Sequence, residues 1–178
     1  MNQLIDRMFR AAKLDPHVYE EVEADESSMG QAIGVVVLAS LAAGIASVGT
    51  LGLSGIVMGT LIALVGWFIW AFLTYLIGTK LLPEAQTEAD MGQLLRAIGF
   101  SSAPGVIRII GVIPGIQPIV SLVAAIWMLA AMVVAVRQAL DYHSTGRAVG
   151  VCAIGWVVQV VVLGVLFAML GTGSTPAS

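Results

Sequence analysis

Three long stretches of this chain carry no formal charge: residues 27–79, 109–136 and 148–178. Each exceeds the roughly 20 apolar residues needed to cross a bilayer core. Lipid offers the backbone no hydrogen-bond partners, so spanning segments are helices or closed barrels. No stretch alternates polar and apolar residues as barrel strands do, and helices are therefore expected. Of the 178 residues only 11% are charged and 58% are hydrophobic, with a mean hydropathy of +0.97. A typical soluble domain carries roughly 25% charged residues, so the composition places the chain in the membrane class.

The apolar runs resolve into five spans, at about 30–49, 54–79, 94–113, 118–137 and 148–170. The fold class expected is all-α: a polytopic membrane protein of five transmembrane helices, the third short and bent, preceded by an amphipathic helix. Its parts are a cytoplasmic helix and acidic head over 1–29, a five-helix membrane domain over 30–170 and a loose tail over 171–178. Small residues recur at helical spacing: Gly30 and Gly34 in span one, Gly55 and Gly59 in span two, Gly146 and Gly150 at the start of span five. Such rows let helices approach closely, which makes these glycines packing candidates. Lys and Arg gather before span one (Arg7, Arg10, Lys13), around the loop after span two (Lys80, Arg96) and around the loop after span four (Arg137, Arg147). That asymmetry predicts a cytoplasmic amino terminus, an external carboxyl terminus and residence in the inner (cytoplasmic) membrane.

Residues 2–14, NQLIDRMFRAAKL, place Leu4, Ile5, Met8, Phe9, Ala11 and Ala12 on one half of a helical wheel and the charges on the other. Two placements fit this helix: flat on a membrane surface, or packed on the protein's own membrane domain. The first 26 residues hold seven of the eleven acids. A secretory signal peptide would begin basic and turn quickly apolar, so insertion by the first membrane helix without cleavage is expected. Asp15-Pro16 ends the first helix, and the carboxylates after it read as a solvated acidic collar, their spacing matching no defined metal loop.

The third span departs from the others. In RAIGFSSAPGVIRIIGVIPGIQP, residues 96–118, Arg108 sits among apolar residues and Pro104, Pro114 and Pro118 interrupt the run. Pro104 predicts a kink, Pro114-Gly115 a turn, and Pro118 the first turn of the next helix. Spans three and four then form a hairpin with a short, bent first arm. An arginine at a helix centre costs roughly 2.5–3.5 kcal/mol on insertion scales. Two readings of Arg108 follow: snorkelling to the outer headgroups, or pairing with an anion such as a lipid phosphate, a substrate or a partner's carboxylate. No span contains a carboxylate, so uncharged acceptors near Pro104, Ser101, Ser102, Thr74 or Gln159 are its internal alternatives. Arg137 and Arg147 are further candidates for anionic lipid or partner contact.

Chemistry is otherwise sparse. The single cysteine, Cys152, lies in an apolar run, which excludes an internal disulfide and a thiolate metal cluster. Asp141, His143 and Ser144 lie close together, but no oxyanion hole or second motif accompanies them. No metal pair or phosphate-cradling Gly loop is present, and a pI near 5.2 argues against nucleic acid. No catalytic role, metal or cofactor is expected.

Three stretches resemble the Yip-domain family, the Rab-GTPase-interacting-protein-like integral membrane proteins, most closely its bacterial branch. KLDPHVYEEVEAD (Lys13 to Asp25) resembles the polar head before the first helix. GFSSAP (Gly99 to Pro104) resembles the Gly-aromatic-small-x-x-Pro motif that opens the third. Ile126-Trp127 and STGRA (Ser144 to Ala148) resemble the fourth helix and the loop after it. The resemblance implies five membrane helices with a cytoplasmic head. For eukaryotic members it implies small-GTPase binding and vesicle traffic, but their Asp-Leu-Tyr-Gly-Pro stretch has no counterpart here, so that role is not carried over. The function expected is a noncatalytic scaffold or accessory subunit packing against other integral membrane proteins or itself, with anionic lipids around it. The alternative is a small transporter or lipid-handling protein using Arg108 and the broken third helix.

Overall fold

A computed structural model describes the backbone of residues 2–171 and the side chains of 3–47 and 52–161. Among the described residues there are seven α-helices and no strand: α1 (Asn2–Ala12), α2 (Pro16–Ala24), α3 (Met29–Ala46), α4 (Val48–Leu76), α5 (Met91–Phe100), α6 (Gln117–Ala139) and α7 (Thr145–Gly171). Acidic side chains start several of the helical segments. Asp15 accepts from the His17 amide ahead of α2, Asp25 from Ser27 ahead of a 3₁₀ turn (Glu26–Ser28), and Asp90 with Gln93 forms a reciprocal capping box on α5. The tail expected over 171–178 lies outside the described residues beyond Gly171.

Four helical runs are long and apolar enough to cross a membrane: Glu26–Ala46, Gly52–Leu81, Met91–Val112 and Gln117–Ala139. The described part of α7, Thr145–Val161, is apolar but shorter. The charge-free connection between the first two runs turns at Gly52, whose φ of 65° is open to glycine at little cost. At its other end α4 passes into a π-helical turn, Ile77–Leu81. Such a turn misaligns backbone carbonyls, and the Tyr142 hydroxyl sits 2.9 Å from that of Gly78 and 2.7 Å from that of Leu82.

The third run is broken more sharply than a proline kink. α5 stops at Phe100, Ser101 and Ser102 make a turn, and a 3₁₀ segment continues from Ala103 to Val112. Pro104 has no amide proton to return to the Phe100 carbonyl four residues back, so α-helix ends ahead of it. The chain proceeds with i→i+3 bonds, Gly105 donating to the Ser102 carbonyl at 2.9 Å. Pro114-Gly115 turns as expected, with Gly115 at φ 87°, and Pro118 occupies the first turn of α6.

This broken run is the centre of the bundle. Its buried share is 56%, against 28%, 6% and 22% for the first, second and fourth runs. Backbone approaches closely there: a Cβ on Gly99 would lie 2.8 Å from the Ala32 Cβ of α3, and one on Gly105 would lie 2.8 Å from the Met128 sulfur of α6. Phe100 is fully buried beside them. The Gly99-to-Pro104 motif is thus a packing hub that joins α3, α5 and α6.

Candidate functional site

The head is not a solvated collar. Arg7 is 2% exposed and donates to Glu21 Oε1 at 2.8 Å, Asp25 Oδ2 at 2.8 Å and Gln31 Oε1 at 3.1 Å. Arg10 donates to Glu21 Oε2 at 2.6 Å and Asp15 Oδ2 at 3.0 Å. The Arg10 guanidinium, with Arg7 next to it, holds the Glu21 carboxyl below the usual carboxylate range. Asp15, Glu21 and Asp25 are paired because α1 brings Arg7 and Arg10 to them, so these two cations are not left for lipid headgroups. Of the two placements open for α1, packing on the protein's own domain is the one observed. Trp127, near the middle of α6, donates to the Ala12 carbonyl at 2.7 Å, and Tyr19 to the Ala11 carbonyl at 3.1 Å. Phe9, 65% exposed, and Ile5 stay uncovered on the outer edge.

Arg96 bonds to the carbonyls of Val22 and Glu23 at the end of α2, where helical carbonyls lack amide partners. It therefore clamps α2 to α5. Beside it Glu23 Oε2 is buried with no hydrogen-bond partner. Burial, then the charges of Asp141 and Glu20, push the Glu23 carboxyl up to about 7, while Arg96 opposes this. Sequence reasoning missed both residues, since their neighbours lie on other segments.

At the same end, Arg137 donates to the Tyr142 carbonyl at 3.2 Å and that of His143 at 3.4 Å. Arg147 donates to the Pro83 carbonyl at 2.6 Å and lies 3.4 Å from Glu84. Arg137 is engaged by the loop that follows it and Arg147 by the connection between α4 and α5, and both remain partly exposed. Among the described residues, no hydrogen bond joins the side chains of Asp141, His143 and Ser144, and no group of His, Cys, Asp or Glu is placed to hold a metal. Cys152 is buried, as its apolar run implied.

Away from the head, the bundle encloses a partly open cavity of about 460 Å³ between α3, α4, the broken third run, α6 and α7. Its walls are mostly small or apolar. The polar groups it contains are Arg108, Ser40, Ser47, Ser102, Gln159 and the indoles of Trp67 and Trp70. Arg108 has no hydrogen bond or ion pair among the described residues, whereas each of the other five arginines is bonded. A 3₁₀ segment has three residues per turn, which puts Gly105, Arg108 and Gly111 on one face. Both glycines are buried, facing Ala39 and Ala46 of α3, so Arg108 is carried on the inner face. Of its expected acceptors, Ser102 and Gln159 line the cavity, while Ser101 bonds to the Ile98 carbonyl at 2.7 Å and Thr74 lies outside the lining.

The Trp70 indole N–H is also buried without a partner, a feature invisible in sequence. Gly55 and Gly59 line the cavity, and a Cβ at Gly59, Gly30 or Gly34 would meet nothing within 4 Å. Gly146 and Gly150 have ordinary contacts, with Ser144 and Leu82. Close approach inside the chain is instead made at Gly44, Gly78, Gly99 and Gly105.

Compared with known proteins, the chain matches the family model described as the Yip1 domain over residues 15–166. No curated protein and no solved structure matches it.

Proposed function

Because the chain belongs to the Yip1 domain family, a setting that favours a noncatalytic membrane role, we propose that it is a scaffold or accessory subunit. It acts by helix–helix packing with other integral membrane proteins or with a second copy. The observation that carries this reading is α4. Its membrane run, Gly52–Leu81, is only 6% buried, and Val57, Leu61, Val65 and Phe68 make a continuous exposed ridge along it. The open glycines of α3, Gly30 and Gly34, add a second surface that nothing among the described residues fills. In this proposal the membrane is the inner (cytoplasmic) one and the head lies in the cytoplasm, an orientation supported by the Lys and Arg distribution.

The test is a photo-crosslinkable residue at Leu61, irradiated in native membranes, with the same residue at Trp156 of α7 for comparison. A single adduct of defined mass from Leu61, in fixed stoichiometry after mild extraction, is expected. A protein that stays uncrosslinked at Leu61 and elutes as a lone monomer overturns the proposal. A second reading, a small transporter or lipid-handling protein, is favoured by one observation: an unpartnered arginine in an internal cavity.

A further inference from the structure

Five of the six arginines are spent on carboxylates or carbonyls of the chain itself, and Arg108 alone is not. A guanidinium inside a membrane bundle is expected to pair with something. Arg108 lies four residues inside the end of the 3₁₀ segment, about 8 Å at 2.0 Å per residue, and borders the cavity. The cavity has the size of a small-molecule site. The Trp70 ring lines the same space, its indole N–H buried and unpartnered, as do the Ser102 hydroxyl and the Gln159 amide, while the Ser40 hydroxyl is already donated to the Val36 carbonyl at 2.5 Å. No Asp or Glu lines it. A lining with one unpaired cation, further polar groups and no acid favours an anion, and the planar fork of Arg matches phosphate oxygens. The remaining wall, including Ile56, Met128 and Met132, is apolar, which suits hydrocarbon.

We propose that this cavity binds a phosphate group carried on an amphiphile, with the phosphate against Arg108 and the hydrocarbon along the methionine wall. The proposal names the ligand class for the lipid-handling reading and rests on it. Equilibrium binding and movement are separate measurements, so their failures are distinguishable.

The full-length protein, purified in mild detergent, is incubated with phosphatidylglycerol, with a diacylglycerol of the same chains that lacks phosphate, or with inorganic phosphate. Retained ligand is counted by native mass spectrometry. The wild type is expected to retain phosphatidylglycerol and not diacylglycerol. Arg108→Gln is expected to weaken retention about tenfold or more. Gly59→Leu, which keeps the arginine and fills the space, should also abolish it. Retention of inorganic phosphate without the lipid supports the phosphate site and assigns it to a free anion. Equal retention of phosphatidylglycerol and diacylglycerol, or undiminished retention by a folded Arg108→Gln protein, overturns the proposal. If Arg108→Gln does not fold, the wild-type preference and the Gly59→Leu variant decide. Binding without lipid or anion flux in vesicles keeps the site and removes the transport reading.

Discussion

Glu23 shows how far burial can move a single group. Its carboxyl titrates near 7 where its ordinary value is 4.5. Below about pH 4.5 the folded and unfolded chains both hold the proton, and the burial costs little. Between 4.5 and 7 the unfolded chain has lost the proton and the folded chain has not, so stability falls as pH rises through this window. Above 7 the penalty of an ionised buried carboxylate is fully present. Glu23→Gln is therefore expected to melt above the parent at pH 8 and close to it at pH 5, read as detergent-solution thermal midpoints. Equal melting at both pH values would mean that the carboxyl is hydrated. Glu21 and Asp15, held low by their arginines, titrate below this range. At this scale the sequence was partly legible. Arg108 stood out because its neighbours along the chain are apolar. Glu23 and Arg96 did not, because Arg96 finds its carbonyl partner 74 positions away.

Elements were legible where period and capping residues agree. Asp15-Pro16 marks the end of α1 and the prolines after Ile113 mark the hairpin, while α2 and the Asp90 capping box went unread. The 3₁₀ segment was not, because a wheel drawn at 100° per residue spreads Gly105, Arg108 and Gly111 over an arc of about 120°. Three residues per turn superpose them. Nor did the wheel say what α1 would rest on, since its partners lie on α2, α3, the 3₁₀ segment and α6. The attachment is testable at that level. Arg7→Ala removes two ion pairs and a bond to Gln31 from a buried guanidinium and leaves two partly exposed carboxylates behind, which loosens the attachment of α1. Trypsin should then cut at Arg10 or Lys13 while the remaining bundle stays intact. If α1 stays protected, its apolar contacts through Met8 and Ala11 hold it and the ion pairs do not.

On the scale of the whole molecule, every arginine except Arg108 lies toward the head end, and the connection over Ile113–Ile116 marks the opposite end. The single native cysteine is buried, so a Cys152→Ala background carrying one new thiol gives a clean topology test. Glu88→Cys, in the exposed loop before α5, should react with a membrane-impermeant maleimide from the cytoplasm only. Pro114→Cys, exposed in the hairpin turn, should react from outside only. The reverse pattern overturns the proposed orientation, and the helix order stands either way.

The central position of the third run also bears on biogenesis. It is the least hydropathic of the four membrane-length runs and it carries Arg108, a charge that disfavours entry into lipid, by roughly 2.5–3.5 kcal/mol at a helix centre and by less toward an end. The run that follows it after the hairpin turn is the most hydropathic of the four. The segment least suited to partition alone is thus tethered to the one that partitions best. The two would leave the insertion machinery as a pair, closing around α3 only once the later helix has been synthesised.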